Sequence, residues 1–418
     1  MAAAAVVAAS LSWMAAASAL AAAPNILSHV PTAAYCCHGY ANDTVDPAQA
    51  APYLTWASSP DPAGAAADRA VGIANVYRYV DTFRVYSGDH AYRSVAGGQY
   101  ASAVARDCAG AQVETQRPGF LISPYAAQAL GLLADELTYR YDPNYTAYFI
   151  DDVDAYKYGL KNGPPCNANQ PWREPETTEE NASLLRRVRI DVHGTQIAPI
   201  LIVNGLADYA SDPALHAAPL GLLDVPNVIG GMCEGCFADN TPDKLASGAE
   251  WQDDADLEIR TIRMHKIFWD YVRYIDDNAA ARIYTFASFM LAWDPSYSVY
   301  QTAYAPLSRG QLHVTPETGI VAYQPLKPIA SVEQLRDAGG TYFREYRACY
   351  YRAKPLGGCA FVVNSDSSAH AIPALSQRYA HAVSIRNNAM VLEGGSVSFD
   401  DAFSNHSLSP LSAIIVTH

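Results

Sequence analysis

The chain is poor in positively charged side chains. Its 418 residues include 28 lysines and arginines against 42 aspartates and glutamates, which gives a formal net charge of −14 at pH 7. Nucleic-acid binding needs clustered lysine and arginine to neutralise phosphates, so this balance argues against a nucleic-acid partner. A neutral or cationic ligand is electrostatically easier for such a chain to bind.

Several common cofactor and catalytic motifs are missing from the sequence. No Gly-x-Gly-x-x-Gly follows a strand-like segment, which weakens the case for a dinucleotide cofactor. The absence of Gly-x-Ser-x-Gly counts against an ordinary esterase. Cys233 and Cys236 form a Cys-x-x-Cys pair without a second such pair or a histidine pair at ligand spacing, which favours a disulfide over a metal site. We therefore predict a protein that uses no metal and no cofactor.

Long apolar runs are missing after the N-terminus, so no later segment is expected to span a membrane. Residues 1–23 are almost all Ala, Val, Leu, Ser, Trp and Met and end in small residues before Pro24, as secretory signal peptides do. No lysine or arginine precedes this run, which leaves an uncleaved anchor or a misassigned start codon as alternatives. We expect a cleaved, secreted protein, or one that resides in the periplasm or cell envelope, without membrane association.

Cysteine is plentiful for an exported chain, with eight residues in total. An even count in an oxidising compartment is typical of disulfide-bonded proteins. Cys349 and Cys359 flank a predicted hairpin, and we expect them to form one bridge. A second bridge between Cys233 and Cys236 would hold the loop around Glu234.

Short apolar segments alternate with helical patterns over most of the chain. Thr177-x-x-Glu180 is a capping box that opens a predicted helix, and Gly194 follows its last apolar residue. Helical periodicity also covers 125–139 and 256–276. The segments with strand character are Tyr53 to Ala57, Val76 to Phe83, Gly119 to Pro124, Ala147 to Val153, Ile197 to Asn204, Val228 to Glu234 and Arg282 to Phe289.

The repeated order of strand and helix predicts a parallel sheet. About seven strands in about 300 residues suit a closed (β/α)8 TIM barrel better than an open sheet. We place this barrel in residues 24–338. Beyond residue 339, short extended segments separated by turns predict a small all-β sandwich domain that reaches residue 418. The predicted fold class is therefore α/β, a TIM barrel followed by a β-sandwich.

Acidic side chains end two of the predicted strands. Asp151 and Asp152 follow the apolar residues 147–150, and Glu234 ends a second apolar run. Because the carboxyl ends of barrel strands open on one face, we expect these acids to converge. Glycosidic bond hydrolysis needs an acid to protonate the leaving oxygen and a carboxylate that acts as nucleophile or base. We assign the second role to Asp151 and the general acid to Glu234, while Asp152 should point away and serve a neighbouring hydrogen bond.

Aromatic side chains near predicted strand ends suit stacking on the apolar faces of sugar rings. Trp293 follows the predicted strand 282–289, and we expect it on the active face of the barrel. Tyr125, Trp56 and Tyr79 are further predicted substrate contacts.

Several short segments give the chain a resemblance to a known family. It resembles the (β/α)8-barrel glycoside hydrolases loosely related to the polygalactosaminidase-like group. The resemblance implies a barrel followed by a β-sandwich, with catalytic residues at Asp151 and Glu234 and a carbohydrate substrate, and we expect Asn204 to contact that substrate. In the family pattern an asparagine often follows the first aspartate, where this chain has Asp152, so Asp152 is also a candidate catalytic residue and the division of roles between Asp151 and Asp152 stays open. The segments are Phe149-Ile150-Asp151-Asp152-Val153, Ile202-Val203-Asn204-Gly205, Met232-Cys233-Glu234-Gly235, Phe286 to Pro295, Pro316-Glu317-Thr318-Gly319 and Phe361-Val362-Val363-Asn364.

Three functions are therefore open from the sequence. The leading one is a secreted glycoside hydrolase that cleaves a polysaccharide or oligosaccharide with paired carboxylates. The second is a catalytically inactive carbohydrate-binding protein, in which the acids would lie too far apart to share one bond. The third is a cell-envelope protein held by an uncleaved N-terminus.

Overall fold

The computed structural model describes most of the chain after the N-terminus. The predicted signal peptide, Cys36 and Cys37 lie outside the described residues. These residues are 26–34, 51, 54–59, 61–81, 83–153, 160–161, 163–206, 218–238, 244–273, 278–303, 315–386, 389–394 and 407–418.

Eight parallel strands form one sheet whose spatial order follows the chain. The sheet curls so that its first and last strands meet, where the amide of Tyr300 donates to the carbonyl of Pro31 at 3.0 Å. This arrangement confirms the predicted barrel. The strands are β1 Thr32–Ala34, β2 Leu54–Ser58, β3 Asn75–Asp81, β4 Ala147–Asp151, β5 Leu201–Asn204, β6 Val228–Glu234, β7 Ile267–Arg273 and β8 Ser298–Ala303.

Seven α-helices in the described residues connect these strands. Sequence signals start several of them: Asp61 caps the first helix through the amide of Gly64 at 2.8 Å, and Asn278 caps the last through two backbone amides. None of these helices is long and apolar enough to cross a membrane. The helices are α1 Pro62–Ala70, α2 His90–Ala96, α3 Ala129–Tyr139, α4 Glu174–Arg187, α5 Ala218–Leu223, α6 Gly248–Arg263 and α7 Ala279–Ala292.

Short antiparallel ribbons lie outside the barrel sheet. A disulfide between Cys108 and Cys166 joins the connection after β3 to the connection after β4. The ribbons pair Arg84–Tyr86 with Gly119–Leu121, Pro165–Asn167 with both Arg106–Asp107 and Gln170–Pro171, Ile190–Val192 with Thr195–Ile197, and His370–Ala371 with Ser407–Leu408.

Four sequence predictions of secondary structure are wrong. The helix predicted to begin at the Thr177-x-x-Glu180 capping box and to stop at Gly194 begins earlier, at Glu174, and ends at Arg187.

The other three wrong predictions concern the strands. The predicted strand 282–289 lies inside α7, whose residues 281–292 are all buried. A helix buried on every side lacks an amphipathic period and is easily mistaken for a core strand. The predicted helix 256–276 divides into the end of α6 and strand β7. The strand predicted at 119–124 belongs to a ribbon outside the barrel sheet.

The C-terminal part is an antiparallel sheet with the spatial order β9-β10-β11-β14-β12-β13. It packs on α7, where Phe286 and Phe361 lie 6.3 Å apart between ring centroids and the Tyr346 hydroxyl donates to the carbonyl of Met290 at 2.6 Å. The barrel followed by a small β-domain confirms the predicted fold class, while a boundary at residue 339 stays a prediction. The strands are β9 Ile320–Pro325, β10 Tyr342–Tyr351, β11 Lys354–Asn364, β12 His381–Arg386, β13 Ala389–Gly394 and β14 Ser412–Thr417.

The predicted bridge between Cys349 and Cys359 is confirmed, and it links β10 to β11. The predicted bridge between Cys233 and Cys236 is also present. Cysteines spaced by a hairpin or by a tight turn can be brought within disulfide distance locally, which explains why the sequence pointed to these two pairs.

Candidate active site

Side chains that alternate along the strands fill the lumen of the barrel. Phe149, Ile202 and Met232 are three of these lumen side chains. Two positions further along their strands, β4, β5 and β6, the side chains on the same face are polar. The lumen thus changes from an apolar floor to a polar layer at the carboxyl ends of the strands. The apolar lumen residues are Ala33, Trp56, Tyr77, Ala147, Phe149, Ile202, Met232, Trp269, Tyr271 and Val299.

The polar layer brings together Asp151, Asn204 and Glu234, the last residues of β4, β5 and β6. The amide nitrogen of Asn204 donates to Asp151 Oδ1 at 2.7 Å and to Glu234 Oε2 at 2.8 Å. The two oxygens therefore lie no farther apart than the sum of these distances, about 5.5 Å, which is close enough for both acids to act on one glycosidic bond. Asp151 is 7% exposed and Glu234 is half-buried, so the pair lies at the mouth of the lumen.

Further donors surround Asp151. The Tyr79 hydroxyl donates to Oδ2, and the backbone amide of Asp152 donates to Oδ1 at 3.0 Å. An ionised carboxylate accepts hydrogen bonds and donates none, so this set of donors suits the ionised form of Asp151. The structure thus gives Tyr79 a contact with the acid itself, and a contact with substrate stays a prediction.

Asp152 adopts a left-handed backbone conformation with φ of 54°. Such a conformation is uncommon outside glycine, and it turns the chain sharply at the end of β4. Asp152 Oδ2 lies 3.8 Å from Arg84 Nη1. Its side chain therefore forms an ion pair with Arg84 at the edge of the site.

The turn after Glu234 is held from several sides. The disulfide closes between Cys233 and Cys236, the amide of Gly235 donates to the carbonyl of Tyr271 at 2.9 Å, and the amide of Phe237 donates to Asp254 Oδ2 at 2.9 Å. Gly235 has φ of 94°, a conformation that glycine adopts without strain. These contacts limit the positions that Glu234 can take.

A group with metal-binding spacing occurs among the described residues at Cys233, Cys236 and Asp254. Both sulfur atoms belong to the disulfide. Metal ligation requires the thiolate, so these cysteines have no ligand atom to offer in this state.

Asp81 and Arg84 are the site residues that sequence reasoning missed. Asp81 ends β3 and pairs in register with Asp151 of β4, and the amide of Arg84 donates to its Oδ1 at 3.1 Å. The signal for Asp81 was the one used for Asp151, an acid directly after an apolar strand. No sequence signal distinguishes Arg84 from other arginines.

The predicted aromatic contacts Trp56 and Tyr125 lie in different parts of the barrel. Trp56 is buried in the lumen below the acids. Tyr125 is half-buried beside the start of α4, where its hydroxyl is 3.2 Å from Thr177 Oγ1 and its ring meets Trp172 edge-on at 5.5 Å. Barrel helices run antiparallel to the strands, so the start of α4 lies at the end of the barrel that carries the acids.

Trp293 is not brought to the acids. It follows the C-terminal end of α7, which lies at the amino-terminal ends of the strands, on the opposite face of the barrel. Its side chain is 3% exposed and its indole N–H donates to the carbonyl of Ala322 at 2.7 Å. It lines a cavity of about 280 Å³ between the barrel and the C-terminal sheet. The reason for expecting it on the active face fails because residues 282–289 are helical.

No family model and no curated protein sequence matches this chain. Among solved structures, the glycoside hydrolase domain of PelA from Pseudomonas aeruginosa is 14% identical with a TM-score of 0.39, over 66% of this chain and 94% of that one. Eubacterium rectale Amy13B is 9% identical with a TM-score of 0.49, over 95% and 97%. A GH27 β-L-arabinopyranosidase from Geobacillus stearothermophilus is 10% identical with a TM-score of 0.43, over 93% and 96%. Structural similarity at this level of sequence identity and TM-score assigns no activity to the chain.

Proposed function

We propose that the protein is a glycoside hydrolase that cleaves a polysaccharide or oligosaccharide with Asp151 and Glu234. The observation that carries this proposal is the amide of Asn204, which contacts both acids at 2.7 and 2.8 Å. This bridge holds two carboxyl groups close together at the mouth of a barrel, and a close pair of carboxyl groups is what glycosidic hydrolysis requires.

The surroundings of the acids support different roles for them. Asp151 accepts from Asn204, Tyr79 and the amide of Asp152, which favours a stable carboxylate that attacks the sugar. Glu234 is less enclosed and has the longer side chain, which suits delivery of a proton to the leaving oxygen. The upper limit of about 5.5 Å between their nearest oxygens lies below the roughly 6.5–9.5 Å of inverting enzymes, so we propose a covalent glycosyl intermediate on Asp151.

The proposed substrate is a neutral or cationic glycan outside the cell. Asp81, Asp151, Asp152 and Glu234 concentrate carboxyl groups at one end of the barrel, which disfavours an anionic substrate. Disulfides and the apolar residues 1–23 favour a secreted protein, or one in the periplasm or cell envelope.

Reducing-end release from a panel of microbial and plant glycans tests the hydrolase. Asp151→Asn and Glu234→Gln should each lower kcat by about 100-fold or more, because each removes a group that takes part in the chemical step. Glu333→Gln is the matched control, since Glu333 lies on the surface beside Arg336. Full activity in both active-site variants would remove the mechanism.

The bridging amide argues against the alternative of a silent carbohydrate-binding protein, which requires acids too far apart to share a bond. The same glycan panel separates the two functions. Tight binding of a glycan by the wild-type protein without any hydrolysis would favour the binding protein.

A further inference from the structure

One buried carboxyl group beside the site has no part in the proposed hydrolysis. Asp81 is the last residue of β3, and its backbone pairs in register with Asp151. Side chains alternate along a strand, so Asp81 shares the lumen face of β3 with Tyr77 and Tyr79. Asp81 and Asp151 are therefore cross-strand neighbours on one face of the barrel, on parallel strands that are typically about 4.8 Å apart.

Few groups are available to neutralise Asp81. Its described hydrogen bond is to the backbone amide of Arg84, at 3.1 Å to Oδ1. The guanidinium of Arg84 lies 3.8 Å from Asp152. The titratable and charged groups that face Asp81 are Asp151 at the end of β4 and Asp152 directly after it, Arg84 and Tyr86 from the ribbon that follows β3, and Asp89 directly before α2.

Asp81, Asp151 and Asp152 thus lie close enough to influence one another, while the Arg84 guanidinium pairs with Asp152. Burial, and then the charges of Asp152 and Asp151, raise the pKa of Asp81 well above its usual range. Two neighbouring carboxylates rarely ionise together in a buried site, and the group with fewer donors keeps the proton. Asp151 has the larger set of donors, which leaves the proton on Asp81.

We propose that Asp81 is a positioning residue that stays protonated and donates a hydrogen bond from its Oδ2 to Asp151. Oδ1 is engaged by the amide of Arg84, so Oδ2 is the oxygen that can carry the proton. The bond adds a donor to Asp151 and keeps that group ionised and fixed for attack on the sugar. This role depends on the proposed hydrolase function, although the protonation of Asp81 does not.

The kinetic experiment compares Asp81→Asn with Asp81→Leu on a glycan that the wild-type protein hydrolyses. Asparagine can accept from Arg84 and donate to Asp151, so its kcat should stay within about threefold of wild type. Leucine removes the donor, and kcat should fall about tenfold or more with little change in KM.

An infrared difference spectrum at neutral pH tests the proton without substrate. The wild-type protein should show a protonated carboxyl C=O band that is missing in Asp81→Asn. This readout also decides the case if Asp81→Leu fails to fold. The proposal is overturned if no such band is lost, or if Asp81→Asn is as impaired as Asp81→Leu. A wild-type protein that hydrolyses no glycan but loses the band in the variant would remove the hydrolase function and retain the proton on Asp81.

Discussion

At the scale of single residues, Asn204 organises the site. It is the last residue of β5, between the strands that carry the two acids, and its amide reaches both. An amide can donate two hydrogen bonds without adding charge, so it holds two carboxyl groups close without neutralising either. This explains why an uncharged residue lies at the centre of an acidic site.

Asn204→Ala should lower kcat by about tenfold or more, because both acids lose the hydrogen bond that holds them in place. The measurement is kcat for reducing-end release, with circular dichroism as the check of folding. Asn227→Ala is a matched control, since the Asn227 amide donates to the carbonyl of Pro199, away from the acids. Equal activity in Asn204→Ala and Asn227→Ala would show that the bridge has no catalytic importance.

At the scale of elements, the ends of the barrel strands carry the site residues, and the turns after the strands orient their side chains. Strand β6 was predicted at its observed bounds because a glycine-rich apolar run ends in an acid there. Gly230 and Gly231 lie where a Cβ atom would approach Ile267 and Leu206 at 2.5 to 2.6 Å, so no larger residue fits without a shift. The Cys233–Cys236 disulfide then fixes the turn that follows.

Replacing Cys233 and Cys236 together with alanine should lower the free energy of unfolding by about 2 kcal/mol, the size expected for a short loop closed by a disulfide. It should also lower kcat, since the turn carries Glu234. The Cys349/Cys359 double alanine variant opens the other short loop, in the C-terminal sheet, and should lose stability but keep its activity. Denaturant unfolding and kcat together test this, and an equal loss of activity in both variants would contradict it.

At the scale of the whole molecule, the C-terminal sheet packs directly against the barrel. It covers the outer side of α7, and Arg344 and Tyr346 of β10 donate to the carbonyls at the end of that helix.

Three acids, Asp254, Glu258 and Asp270, are buried in the protein interior. One carboxyl oxygen of Glu258 and both carboxyl oxygens of Asp270 have no hydrogen-bond partner among the described residues. Burial raises the pKa of each well above its usual range.

These acids should make the protein less stable as pH rises. Asp270 keeps its proton in the folded protein, whereas the unfolded chain releases it near pH 4, so stability falls as pH rises from there toward the folded pKa. Asp270→Asn removes this titration. Its stability advantage over wild type should grow by up to about 1.4 kcal/mol per pH unit above pH 4. Thermal unfolding at several pH values checks this, and a difference that does not change with pH would contradict it.

Local chemistry in the sequence was enough to predict the barrel, the β-rich C-terminal part, two disulfides and the acids at the ends of β4 and β6. Each of these depends on residues close together in the chain: alternating apolar segments, paired cysteines, an acid after a strand. Tertiary structure alone decided that α7 is a helix, because burial on all sides removes the periodicity that identifies helices. It also decided that Trp293 lies at the far end of the barrel, and that Asn204 and Asp81 contact or neighbour Asp151. The relations of Asn204 and Asp81 to Asp151 join strands far apart in the chain, and only the pairing of these strands in one sheet brings the residues side by side.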